Sequence, residues 1–105
     1  MSTWIKLCRV DRLNNGEMRA FNSENGKRIL LAKLGDKYYA TDAICTHRYA
    51  ELSEGFLNAE EKTVTCPVHL SVFSLIDGKA QNPPSELPLM IYQTKVENSV
   101  IYALI

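Results

Sequence analysis

Turn-forming residues recur about every eight to twelve positions along this sequence, which is the spacing of short strands in a β-sandwich or barrel. They are Asn14-Asn15-Gly16, Glu24-Asn25-Gly26, Gly35-Asp36, Asp77-Gly78 and Glu97-Asn98. The segments between them are rich in β-branched and aromatic residues, and no window has a convincing helical period. The sequence therefore predicts an all-β fold.

The predicted strands cover residues 4–10, 17–21, 27–34, 37–41, 63–66, 72–75, 89–96 and 100–104. Residues 58–62 have room for one helical turn. Asp77-Gly78 predicts a two-residue hairpin turn, because both residue types tolerate a positive φ. Three of the four prolines lie in residues 82–88. Since proline cannot donate to a sheet ladder, this segment is predicted to be a stiff loop.

The size and charge of the chain restrict its class of function. With 105 residues it fits a single domain, residues 1–105. Its 12 basic and 12 acidic residues cancel, so nucleic acid is not an expected partner. The longest uncharged apolar stretch, residues 100–105, is far shorter than the roughly 20 residues of a membrane span, and the first residues do not resemble a signal peptide. We therefore expect a cytoplasmic monomer without a membrane anchor.

Both histidines of the chain lie beside a cysteine. The two pairs are Cys45-Thr46-His47 and Cys66-Pro67-Val68-His69, with eighteen residues between them. A single cysteine or histidine needs no special role, but the two types paired twice at short spacing are typical of soft-metal sites. We therefore predict that Cys45, His47, Cys66 and His69 bind metal.

The spacing within each pair bears on which metal is bound. A mononuclear zinc ion suits Cys66 and His69, because two intervening residues are usual between zinc ligands. Cys45 and His47 are separated by a single residue, and both side chains reach one tetrahedral ion only with difficulty. Two adjacent metal ions fit both pairs if each loop gives its thiolate to one ion and its imidazole to the other. A Cys-His nucleophile is an alternative that requires a metal-free Cys45 thiol.

At these positions the sequence closely resembles the Rieske family, whose signature is Cys-x-His and, after a spacer, Cys-x-x-His. The resemblance extends to Phe73, the Asp77-Gly78 turn, the Pro83-Pro84 loop and the C-terminal pair of strands. It therefore covers at least residues 43–105.

The resemblance implies a cofactor and an architecture. The cofactor is one [2Fe–2S] cluster, with Cys45 and Cys66 on one iron and His47 and His69 on the other. The architecture is the Rieske fold, an antiparallel β-sandwich or barrel base with an inserted cluster-binding subdomain of about residues 43–84.

The sequence also departs from the family pattern. In respiratory and photosynthetic members, each ligand loop carries an extra cysteine and the two form a disulfide; Ala50 and Val68 stand in those places here. This difference favours the soluble ferredoxin branch. The third cysteine, Cys8, is expected to be a buried apolar residue. Leu70 follows the second histidine, where glycine is usual, and it would be strained if the backbone kept a φ angle suited to glycine.

By resemblance, the protein is expected to be an electron carrier and not an enzyme. It would pass single electrons from an NAD(P)H-dependent flavoprotein reductase to a terminal oxygenase, and dock transiently near His47 and His69. The expected border of this docking surface is formed by Arg48, Tyr49, Leu70 and the Pro83-Pro84 loop. Two alternatives stay open: the Rieske-like small subunit of a reductase such as nitrite reductase, and a Cys2His2 zinc domain with a structural or binding role.

The resemblance further predicts a low to intermediate reduction potential. Two neutral imidazoles replace two thiolates, which makes the cluster easier to reduce and accounts for family potentials of about −150 to +300 mV. High-potential relatives place a serine and a tyrosine after the second histidine as hydrogen-bond donors. This chain has Ser71 but also Phe73, so one of the two hydroxyls is missing. A midpoint above about +200 mV would contradict this expectation.

Overall fold

The computed structural model describes residues 3–23, 26–46, 50–68, 70–81 and 87–105. Within these ranges the chain forms β1 (Trp4–Arg9), β2 (Met18–Asn22), β3 (Arg28–Leu34), β4 (Lys37–Asp42), β5 (Phe56–Asn58), β6 (Thr63–Thr65), β7 (Val72–Ser74), β8 (Ile91–Tyr92), β9 (Thr94–Glu97) and β10 (Val100–Leu104). Two short 3₁₀ helices, Val10–Arg12 and Leu52–Glu54, lie between strands. No helix in the described ranges is long and apolar enough to cross a membrane.

The strands form three sheets with orders β1-β10-β9, β2-β3-β4-β8 and β5-β6-β7. Every pairing between neighbouring strands is antiparallel. The predicted all-β class is therefore confirmed.

Strand β3 lies at the centre of the molecule because it is buried on both faces. Leu30, Ala32 and Leu34 pack into a core that also contains side chains of β6 and β7. Ile29 and Leu31 pack into a second core with side chains of β10. Since successive residues of a strand point to opposite faces, a nearly continuous apolar run suits a strand between two cores. The second sheet is thus covered by the first sheet on one face and by the third sheet on the other.

Two details of the strand prediction are wrong. Residues 89–96 were predicted as one strand, but β8 pairs with β4 in the second sheet whereas β9 pairs with β10 in the first. The chain changes sheets at Gln93, whose carbonyl accepts a hydrogen bond from the Leu104 amide. Strand β5 was missed, because it has only three residues and Phe56 is exposed, which leaves no clear alternation of apolar and polar positions.

The predicted turns also differ in detail. Residues 59–62 form a turn and not a helix. The chain does reverse after β7, where the Ser74 amide donates to the Lys79 carbonyl. This turn has four residues instead of two, with Gly78 at a φ of 76°. Glu24 and Asn25, in the second predicted turn, lie outside the described residues.

Candidate metal centre

The first predicted ligand loop leaves the end of β4 and is fixed to β3. The Ala43 amide donates to the Arg28 carbonyl of β3, and the Leu52 amide donates to the Ala43 carbonyl, at 3.0 and 2.8 Å. Nearer the tip, the Cys45 amide donates to the Ala50 carbonyl at 3.0 Å. These bonds place Cys45 at the base of a closed loop, where it is buried.

The second predicted ligand loop joins β6 to β7 and is closed in the same way. The Cys66 amide donates to the Ser71 carbonyl at 2.8 Å, and the Leu70 amide donates back to the Cys66 carbonyl at 3.0 Å. In both loops, therefore, the cysteine amide bonds the carbonyl five positions later. The two loops therefore share this closing hydrogen bond although their sequences differ.

The structure brings the two cysteines into one core. Cys45 and Cys66 belong to the same cluster of buried side chains, together with Leu52 and Phe73. The predicted histidine ligands His47 and His69 lie outside the described residues, as do Arg48, Tyr49 and the Pro83-Pro84 loop. Among the described residues alone, no group of three or more His, Cys, Asp or Glu side chains could hold a metal ion. The structure therefore describes the two predicted cysteine ligands, and the two predicted histidine ligands lie outside its described residues.

An ion pair between distant parts of the chain fastens the first loop to the base. The Arg28 Nε donates to the Glu51 Oε1, and both side chains are about one-third exposed or less. Glu51 lies opposite Ile44, the residue before Cys45, in an isolated β-bridge. Sequence analysis missed this pair, because the two residues are 23 positions apart and belong to no short motif.

The surroundings of the Ser71 hydroxyl indicate whether the site suits an inorganic cluster. Its side chain is fully buried next to the second loop, and its Oγ has no hydrogen-bond partner among the described residues. A buried hydroxyl without a partner is unfavourable and rare, so an acceptor beyond those residues is expected. A set of two thiolates and two imidazoles is also suited to iron in a sulfide cluster. The residues present therefore fit a [2Fe–2S] group.

Two further predictions concern single residues. Leu70 has a φ of 58°, so the backbone does keep a left-handed conformation here although the residue is not glycine. Cys8 is only half-buried, at the edge of the second core, instead of being fully buried as expected. Burial raises the pKa of its thiol, and the nearby Arg19 only partly offsets this effect.

Comparison with known proteins extends this description. Residues 3–93 match the family model of the Rieske [2Fe-2S] domain. A ferredoxin component of the naphthalene 1,2-dioxygenase/salicylate 5-hydroxylase systems of Ralstonia sp. is 36% identical over 95 residues, which are 90% of this chain and 88% of that protein. The ferredoxin of carbazole 1,9a-dioxygenase from Nocardioides aromaticivorans superposes with a TM-score of 0.91 at 29% identity, covering 96% of each chain.

Two other solved structures are informative. In a complex of reduced oxygenase and oxidized ferredoxin in carbazole 1,9a-dioxygenase, one chain is 30% identical with a TM-score of 0.87, covering 95% of this chain and 91% of that chain. A putative NADH-dependent nitrite reductase small subunit from Mycobacterium tuberculosis has a TM-score of 0.87 at 21% identity, covering 100% of this chain and 96% of that one. The second likeness shows a shared fold and nothing more.

The chain belongs to the Rieske [2Fe–2S] family. The predicted family, the Rieske fold and the single Rieske-type cluster are thereby confirmed. Because its relatives are ferredoxin components, the chain is an electron carrier, as predicted.

Proposed function

We propose that Cys45 and Cys66 bind one iron of the cluster and that His47 and His69 bind the other. The observation that carries this assignment is the pair of similarly closed loops, which bury both thiols in one core. When bound, the cluster takes up and releases one electron at a time. The chain's own part is to hold four ligands on two loops, with the first loop fastened to β3 through Arg28 and Glu51.

The same contacts support the proposed domain organisation. Residues 1–105 form one Rieske domain, and about residues 43–84 form its cluster-binding subdomain. The third sheet and both ligand loops fall within that segment, and they share a core with one face of β3. The other face of β3 belongs to the core of the base.

The proposed role is to carry electrons from an NAD(P)H-dependent flavoprotein reductase to a terminal oxygenase, in the cytoplasm and as a monomer. Support comes from the relative that is a dioxygenase ferredoxin component and from the solved complex of a similar ferredoxin with an oxygenase. We place the docking surface near His47 and His69. Electron-transfer contacts are small and short-lived, which suits a carrier that alternates between two partners.

Replacing one proposed imidazole by a thiolate tests the ligand assignment. His69→Cys adds a negative charge beside the iron, so the midpoint potential should fall by about 100 mV or more toward the values of all-cysteine clusters. Potentiometry and visible spectra of the iron-loaded protein measure this change. Cys8→Ser is the matched control, because Cys8 lies in β1 and should leave both readings unchanged. Loss of the cluster in His69→Cys also fits the assignment, whereas a wild-type spectrum and potential would contradict it.

A further inference from the structure

Leu70 keeps an unfavourable backbone conformation in the second ligand loop. Its φ of 58° lies in the left-handed region, which glycine adopts freely and residues with a Cβ adopt at a cost. Its amide is held there by the hydrogen bond to the Cys66 carbonyl. The Leu70 side chain is nevertheless 58% exposed, so packing in the core does not account for a leucine at this position.

Two more aliphatic side chains are exposed beside the proposed ligands. Val68 and Leu70 flank His69 in sequence, and Val68 is 58% exposed. Leu87 is 65% exposed, and its carbonyl accepts a hydrogen bond of 2.8 Å from the Thr46 hydroxyl, next to His47. We call Val68, Leu70 and Leu87 the apolar rim. Exposed aliphatic groups next to proposed ligands in the sequence, or bonded to a neighbour of one, favour contact with another molecule at this site.

Charge is absent from the second ligand loop and its flanking strands. Residues 63–76 contain no Asp, Glu, Lys or Arg. A partner therefore gains little from ion pairs with this segment, and apolar complementarity must supply the affinity of this part of the contact. Such a contact depends only weakly on salt concentration.

We propose that Leu70 is a docking residue for an apolar patch on the terminal oxygenase, and that its strained backbone is maintained because docking uses its side chain. This inference rests on the proposed function, since it takes the oxygenase as the partner that meets the histidine side of the cluster. Backbone strain retained at a functional site is a recognised pattern, and relieving it exchanges function for stability.

The experiment compares Leu70→Gly with the wild-type protein, both loaded with cluster. Stopped-flow mixing with an oxygenase component measures the rate of electron transfer. The oxygenase of carbazole 1,9a-dioxygenase is the partner used, because the structure of a similar ferredoxin in complex with it has been solved. Loss of the side chain should lower the second-order rate constant about tenfold, equivalent to about 1.4 kcal/mol, and leave the limiting rate at saturation unchanged. In urea, Leu70→Gly should be at least as resistant to unfolding as the wild type. The difference between the two rate constants should persist at high salt concentration, because the Leu70 side chain carries no charge.

Asn98→Gly is the matched control. Asn98 also has a positive φ, 52°, but it lies in the turn between β9 and β10. Asparagine tolerates this conformation better than leucine does, so Asn98→Gly should gain a smaller relief in the backbone, and it should not slow electron transfer. Oxidation by ferricyanide, which needs no docking surface, should be equally fast in all three proteins.

The possible outcomes separate this inference from the proposed function. If visible and EPR spectra reveal no His-ligated cluster, the proposed function fails first. If the cluster is intact and Leu70→Gly transfers electrons to the oxygenase with the wild-type second-order rate constant, only the docking inference is overturned. Faster ferricyanide oxidation with an unchanged oxygenase rate would mean that Leu70 shields the cluster, and it would also overturn the inference.

Discussion

Ser71→Ala removes a buried hydroxyl whose partner is expected to be the cluster. The Ser71 side chain is fully buried, its carbonyl bonds the Cys66 amide, and its Oγ has no partner among the described residues. An unsatisfied buried hydroxyl costs about 1–3 kcal/mol. A sulfur of the cluster or of its thiolate ligands is the acceptor that would remove this cost.

The size of the effect follows from the charge that reduction adds. A hydrogen bond to a charged acceptor contributes about 1.5–3 kcal/mol, against about 0.5–1.5 kcal/mol for a neutral one. The Ser71 hydroxyl should therefore favour the reduced state by about 1–1.5 kcal/mol. For a one-electron couple, 1.4 kcal/mol corresponds to about 59 mV. We expect Ser71→Ala to lower the midpoint potential by about 40–60 mV.

Protein-film voltammetry at fixed pH measures this shift. Ser74→Ala is the control, because Ser74 ends the strand that follows Ser71 and its Oγ accepts a hydrogen bond from the Ile76 amide in the exposed turn. The cluster-free chain supplies a second reading: without the cluster, Ser71→Ala should unfold in urea at the same or a higher concentration than the wild type. A potential shift below about 10 mV, or a less stable cluster-free variant, would refute the reasoning.

Two further predictions concern the base and the third sheet. Tyr92 donates to Asp42 at 2.6 Å, and burial together with this carboxylate raises the pKa of its phenol. Above a pH of about 10 the unfolded chain releases this proton and the folded chain keeps it, so the free energy of unfolding should fall by about 1.4 kcal/mol per pH unit. Urea unfolding should find that Tyr92→Phe lacks this alkaline loss; equal slopes in the two proteins would contradict the assignment. A Cβ on Gly55 would lie 1.9 Å from the Thr65 carbonyl oxygen, so Gly55→Ala should force β5 and β6 apart. We expect a loss of about 1–3 kcal/mol, and an unchanged melting temperature would argue against so close an approach.

The sequence predicted most of the fold because its signals are local. Turn residues marked the ends of most strands, and the segments between them are rich in β-branched and aromatic residues. The division between β8 and β9 was missed, because both halves have strand-like residues and only the change of pairing at Gln93 separates them. That change depends on which sheet each half joins, which no local pattern records.

The ligand set of the site stays a prediction. Close spacing identified Cys45 and Cys66, and family resemblance drew attention to Ser71 and Leu70. The burial of Ser71 without a described partner and the left-handed φ of Leu70 are three-dimensional facts that composition does not reveal. The Arg28–Glu51 pair was missed, because it forms only after the first loop has folded back on β3.

The central claim is that two histidines bind one iron of the cluster. Pulsed EPR of the reduced protein, prepared with ¹⁵N-labelled histidine, tests it most directly. The account predicts two coupled histidine nitrogens in the wild type, one in His69→Cys and two in Cys8→Ser. A reduced cluster without nitrogen coupling, or a colourless protein that holds zinc instead of iron, would contradict it.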